Sequence, residues 1–245
     1  MKQLLITLAL LAALVVLPLR AVGAEAGNIA LDHVEMDIKN QESLQSGFQT
    51  YMNYCVGCHS LKYQRFERTA NDLGIPHDLV LDNLVFDDAA IGDLMENAIT
   101  PDDAENWFGA SPPDLTLIAR VRSPDWLYTY MRSFYSDDNR PWGVNNTVFA
   151  NVGMPNVLHE LQGTQVCADG GTDPLHCELE HVEGTGSMSQ EEFDQSVYDL
   201  VNFLYYVGEP IRERRQEIGF FVLGFLVILF IFTFLLNREY WKKIH

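Results

Sequence analysis

Apolar positions fall into two uninterrupted runs at the ends of the chain and several periodic stretches between them. Ile218–Leu236 is 19 residues with no charged side chain, bounded by Glu217 and by Asn237-Arg238. As a helix it would extend about 28 Å, the thickness of a bilayer's hydrocarbon core. A buried soluble helix of that length would show a polar stripe, and this run offers only Gly219, Gly224 and Thr233. It predicts a single transmembrane span, within an anchor segment of residues 212–245. Leu4–Leu17 is shorter, follows Lys2, and leads through Val22-Gly23-Ala24 to Glu25. A positive start, an apolar run and a small-residue site predict a cleaved secretory signal peptide at residues 1–24.

Between the ends, the periodic stretches predict helices. Leu44, Phe48, Tyr51 and Met52 share a face over Gln41–Tyr54. Ala119–Tyr135 reads as helical, opening near Ser123-Pro124-Asp125, an N-cap with proline at the first helical position. Ser189-Gln190-Glu191-Glu192 matches a capping box, with Met188 and Phe193 spaced as a hydrophobic staple. Val197, Leu200, Val201, Leu204 and Tyr205 continue that face to Gly208-Glu209-Pro210. Thr100–Asp114 and Asn139–Asn156, heavy in Pro, Gly, Asn and Asp, read as long loops, and no run alternates well enough to demand a large sheet. The fold class expected for residues 25–211 is therefore mainly α. Loops this long suit a compact domain only when something bulky fills its core.

Charge narrows the partners. The formal net charge is −18, from Lys+Arg 16 against Asp+Glu 34. Glu25–Ile211 holds 8 basic and 31 acidic residues. Such a surface excludes nucleic acid, whose phosphates need basic neutralisation, and favours basic proteins or cations. The flanking bases Arg212, Arg214 and Arg215 balance Arg238, Lys242 and Lys243, so charge alone does not orient the span. The signal peptide does, leaving Asn237–His245 in the cytoplasm and the body in an oxidising space.

Cys55-Val56-Gly57-Cys58-His59 carries the strongest chemistry. Two thiols three positions apart can add to the two vinyl groups of one porphyrin, and the adjacent histidine then becomes a ligand to its iron. A redox Cys-x-x-Cys normally follows a strand, and none is predicted here; a zinc site would need a second paired ligand set, for which Cys167 and Cys177 are widely spaced. One covalent haem c is the expected cofactor. Cys167 and Cys177 close an 11-residue loop. A disulfide there would contribute about 2.8 kcal/mol through loop entropy. For a sixth iron ligand, Met154 in Asn151-Val152-Gly153-Met154-Pro155 leads, because a thioether can be presented by irregular backbone. Met188 is a rival, His159 and His77 are lesser ones, and Met131 reads as core.

A haem motif, an acidic exported body and a C-terminal anchor, in that order, resemble the cytochrome c1 family, the haem c subunits of quinol–cytochrome c reductase. Gly47-Phe48-x-x-Tyr51 leading into Cys55–His59, Ser111-Pro112-Pro113-Asp114-Leu115 with Ile118-Ala119-Arg120, Gly153-Met154-Pro155, and Gly208-Glu209-Pro210 carry the likeness. It implies a cytochrome c-like haem domain on the periplasmic side of a bacterial inner membrane. His59 and Met154 would be the axial ligands and Arg120 a propionate partner, with Pro113, Asn106 and Trp126 lining the haem. It also implies an electron relay, from the Rieske iron–sulfur protein to a cytochrome c, beside cytochrome b and without bond-making chemistry of its own. Two other classes remain open: another tethered shuttle or oxidase subunit, and a haem enzyme or gas sensor with an open iron position. The acidic Asp169–Glu183 stretch is less like the family.

Overall fold

The computed structural model describes residues 30–242 except Asp169. The expected signal peptide at 1–24 lies outside the described residues. Helix α1 (Gln41–Tyr54) starts where the Asn40 side chain accepts the Ser43 N–H, and it ends one residue before Cys55. The following elements are β1 (Leu61–Arg65), α2 (Phe66–Leu73), α3 (His77–Asn83), β2 (Leu94–Met95), α4 (Pro101–Phe108), α5 (Ile118–Val121) and α6 (Pro124–Arg132). Then come β3 (Phe134–Ser136), β4 (Val144–Asn146), α7 (His159–Gln162), β5 (Gln165–Cys167), β6 (Leu179–His181), α8 (Gln190–Gly208) and α9 (Arg212–Trp241). The strands form three separate two-stranded antiparallel pairs, β1–β2, β3–β4 and β5–β6, among the described residues. The architecture is mainly α, with a C-terminal helix long and apolar enough to cross a membrane.

The core centres on α1 against α8. Phe48 and Tyr51 pack against Phe203 with tilted rings, centroids 5.3 and 5.9 Å from it, and all three are fully buried. The approach is possible because position 47 is glycine: a Cβ there would lie 2.6 Å from the Asp199 carbonyl carbon and 2.7 Å from the Phe203 Cβ. The buried Asp199 carboxylate accepts from Ser43 Oγ at 2.6 Å and Gln195 Nε2 at 2.9 Å, so the closest point of the crossing is also hydrogen-bonded. Helix α8 opens on the expected capping box, Ser189 with Glu192, and ends at Gly208.

Three expectations change, one of them that Asn139–Asn156 is all loop, since it holds β4. The stretch Ala119–Tyr135 is two helices and a strand. The break falls at Ser123, whose φ of 78° cannot continue a helix, and proline at 124 disfavours helical backbone in the residue before it. Phe134 and Tyr135 then pair with Asn146 and Asn145. Thr100–Asp114 is not all loop. Thr100 caps α4 by accepting the Asp103 N–H, Pro101 opens the helix, Asp102 and Asp103 sit in its positive first turn, and Gly109 closes it at φ 78°. Cys167 and Cys177 are joined as a disulfide, closing the excursion between β5 and β6. Along α9 every side chain is outside the protein interior. At about 45 Å the helix is longer than the apolar run it contains.

Replacing Gly47 with alanine is expected to cost about 3 kcal/mol, because the new methyl meets backbone that cannot move aside. Denaturant unfolding of the body checks this; a change below about 0.5 kcal/mol, the size of an ordinary surface substitution, would mean the helices do not cross so closely.

Candidate functional site

Beyond α1 the chain turns sharply. The Cys58 and His59 N–H groups both donate to the Cys55 carbonyl, at 3.1 and 2.9 Å. This turn brings both thiols and the imidazole to a cavity of about 580 Å³. Ile118, Val121, Leu127, Leu200, Val201 and Leu204 supply apolar wall from α5, α6 and α8, and the Val152–Pro155 loop closes another side. Tyr51 ties the turn to the core, donating from its hydroxyl to the His59 carbonyl at 2.7 Å.

The Pro-Pro-Asp-Leu segment fixes the imidazole. Asp114 accepts the Lys62 N–H at 2.8 Å and the Thr116 N–H at 3.0 Å, and Leu115 N–H donates to the Ser60 carbonyl at 3.0 Å. With the segment held on both sides, the Pro113 carbonyl oxygen sits 2.7 Å from His59 Nδ1. A carbonyl only accepts, so Nδ1 carries the proton and Nε2 keeps its lone pair for a metal. Burial pushes the His59 imidazole below its ordinary pKa, outweighing Pro113 and Asp114, and so favours the neutral form that ligation needs. Burial likewise pushes the Cys55 thiol up to about 12, with Cys58 adding to it. Both thiols are free of disulfide.

Two methionines line the cavity, Met131 on α6 and Met154 in the loop. Met154 accepts a hydrogen bond at Sδ from the Tyr130 hydroxyl, 3.4 Å away. Trp126 lies in the wall, stacked on Tyr130 at 4.7 Å. Of the residues expected from sequence, Cys55, Cys58, His59, Pro113, Trp126 and Met154 thus meet in one place. Met188, His77 and His159 are not among its lining.

Arg120 and Asn106 are placed elsewhere. Arg120 pairs with Glu209 at 2.8 Å and lays its methylenes beside Gly208, because on the short helix α5 it points to the α8 end. Glu209, raised by partial desolvation, is nevertheless held below the usual carboxylate range by Arg215 and Arg120. Asn106 is exposed on α4, and from that helix Phe108 reaches the wall. The arginine that does line the cavity is Arg122, its guanidinium 5.0 Å from the Trp126 ring and 5.9 Å from Phe149. Arg122 caps the end of α5, one turn beyond Ile118, which also lines the cavity, but that spacing alone did not favour it over Arg120.

These donors fit a covalently held haem. Two unpaired thiols sit beside an imidazole with one nitrogen committed to a carbonyl, and a thioether shares their apolar cavity. Among the described residues no group of His, Cys, Asp and Glu side chains is arranged to hold a bare metal ion. Thiols placed for consumption by thioether formation make this a c-type cytochrome, and α9 makes it a membrane-anchored one. A profile described as "Cytochrome C1 family" matches residues 34–244. "Cytochrome c1" of Allochromatium vinosum is 48% identical over 96% of this chain and 98% of its own. "Ammonia monooxygenase gamma subunit" of Nitrosomonas europaea is 43% identical over 89% and 90%. "Cytochrome c1" of Rhodospirillum rubrum is 26% identical over 84% and 83%. The chain belongs to the cytochrome c1 family, whose members carry one covalently bound haem c and transfer electrons within the cytochrome bc1 complex.

With Cys55 and Cys58 as the thioether positions and Cys167–Cys177 as the disulfide, all four cysteines would be accounted for. Unfolded but unreduced holoprotein is therefore expected to take up no thiol reagent, and reduction should expose two sites. Mass spectrometry showing reactive thiols before reduction would mean that one of those linkages is missing.

Proposed function

We propose that this chain receives one electron from the Rieske iron–sulfur protein and delivers it to a basic cytochrome c, next to cytochrome b, on the periplasmic face of a bacterial inner membrane. The observation that carries the reading is the pinned imidazole, His59 Nδ1 on the Pro113 carbonyl, in the same cavity as the Met154 thioether. Bound haem supplies a one-electron carrier; the chain sets how readily it accepts and releases the electron. Cys55 and Cys58 fix it to the turn after α1. His59 Nε2 and Met154 Sδ are the atoms that would hold the iron, and a thioether ligand would favour the reduced metal and raise the potential. Trp126, Leu127, Leu200 and Leu204 keep water from the site, which acts in the same direction. Arg122, carried on the Trp126 and Phe149 faces, takes the role of propionate partner that resemblance had assigned to Arg120.

In this reading residues 1–24 direct export, the body from 25 to 211 faces the periplasm, and a short tail after the span stays in the cytoplasm. The excess of acid over base in the body speeds encounter with a basic acceptor and makes the rate fall as salt rises.

Quinol added to the detergent-solubilised assembly, purified through a tag on this chain, is expected to reduce the c-type haem rapidly, with b-type haem co-purifying. A c-type haem that dithionite reduces and quinol does not, in an assembly retaining its b-type haem, would refute the relay. Co-purification with an ammonia monooxygenase instead would assign the chain to the assembly named for the Nitrosomonas relative. Met154→Leu is expected to lose the six-coordinate spectrum and lower the potential.

The two arginines separate cleanly. Arg120→Gln removes a half-exposed ion pair, so it should cost less than about 1 kcal/mol and leave the potential unchanged. Arg122→Gln removes a cation from the cavity and should lower the potential. Potentiometric titration of both variants checks this, and the reverse ranking would return the propionate role to Arg120.

A further inference from the structure

The loop that carries Met154 has no helix or strand of its own, yet its backbone N–H groups need partners. Two buried asparagines from β4 supply them. Asn146 Oδ1 accepts from the Val148 and Phe149 N–H groups at 2.9 and 3.1 Å, while its Nδ2 donates to the Tyr130 carbonyl at 2.8 Å. Asn145 Oδ1 accepts its neighbour's N–H at 2.9 Å and reaches across the loop to the Asn151 N–H at 2.8 Å. Asn145 Nδ2 donates to Asp137 Oδ2 at 3.0 Å. Asp137 is itself buried, its other oxygen accepting from the backbone and side chain of Asn139 at 3.1 Å. From the outside, Arg140 donates to the side chain and carbonyl of Asn151, a residue held at φ 61°.

We propose that Asn145, oriented by Asp137, is a positioning residue for the Met154 ligand. The argument is one of polarity. A carboxylate only accepts, so Asp137 dictates which end of the Asn145 amide faces it, and the oxygen is thereby aimed at the loop. The last side-chain anchors before Val152-Gly153-Met154 are both at Asn151, Asn145 on its N–H and Arg140 on its carbonyl, and Pro155 restricts the backbone immediately after. Buried amides bonded at both their oxygen and their nitrogen hold one arrangement, because turning either amide over would leave donors facing donors. Residues three positions before the ligand thus act through the backbone on where the thioether sits. The inference rests on Met154 being an axial ligand.

The test reverses the polarity and then restores it. Asn145→Asp sets two carboxylates against each other in a buried place; a proton shared between them would mimic the amide, and once raised pH removes it the side chain must turn away from the loop. Asn145→Asp combined with Asp137→Asn exchanges donor and acceptor and rebuilds every bond of the relay. The readouts, on purified full-length holoprotein, are the near-infrared sulfur-to-iron charge-transfer band of the oxidised form and the midpoint potential. Asn145→Asp is expected to lose most of the band and shift the potential downward; the double variant is expected to recover both. If the single variant does not accumulate, accumulation of the double variant with a native band supports the proposal in the same way. A single variant indistinguishable from the parent even at raised pH, or a double variant that fails to recover, overturns it. Absence of the band in the parent would instead remove the axial role of Met154, and the positioning role with it.

Discussion

The close crossing of α1 and α8 is the contact on which the rest depends. Gly47 allows it, the backbone of Asp199 occupies the space a side chain would need, and Phe48, Tyr51 and Phe203 fill the space around it. The two helices then have fixed duties. The C-terminal end of α1 delivers Cys55, and the turn from Cys55 to His59 follows from two amides sharing one carbonyl. The middle of α8 presents Leu200, Val201 and Leu204 to the cavity. A shift at Gly47 would therefore displace the attachment turn relative to the apolar wall it faces, although residue 47 touches neither.

Around that crossing the protein uses side chains where other folds use strands. Regular structure satisfies backbone groups locally; a wall bent to fit a flat cofactor cannot. Asp114 holds the Pro112–Leu115 segment against β1, and the Asn145–Asn146 pair holds the loop to Met154. The two devices are alike in kind. Each uses a short amide or carboxylate to accept backbone N–H groups, and each ends at one of the proposed ligands, His59 through the Pro113 carbonyl and Met154 through Asn151. The polar residues that made these stretches look like plain loops are what make the loops rigid.

That explains what could be read in advance. The helix over Gln41–Tyr54, the capping box at Ser189, the apolar span and the cysteine–histidine motif each depend on residues close together in sequence, and they are where the pattern put them. Helix α4 was legible too, since Thr100-Pro101-Asp102-Asp103 is a start signal and Gly109 a stop; the density of Pro, Asp and Gly concealed it. The choice between Arg120 and Arg122 was not a local matter. It turns on which side of a four-residue helix faces α8, and on Glu209, nearly ninety positions away, drawing Arg120 aside. The three strand pairs are two to five residues long, too short for alternation to register.

Charge and apolar surface divide the work of recognition by distance. The acidic excess of the body acts over a Debye length, about 8 Å at physiological ionic strength. It can gather a basic partner without fixing how that partner lands. The cavity's own edge is different in kind: Val121 and Phe149 line it and remain 74% and 44% exposed, beside the Arg122 guanidinium. Covering an apolar edge carries no polar desolvation cost, and a contact confined to a few such side chains buries far less surface than a stable interface, so it is readily released. A relay needs that combination. Strong charge pairing at the edge would slow departure, whereas acid spread over the body and an apolar rim at the site give rapid arrival together with rapid exchange.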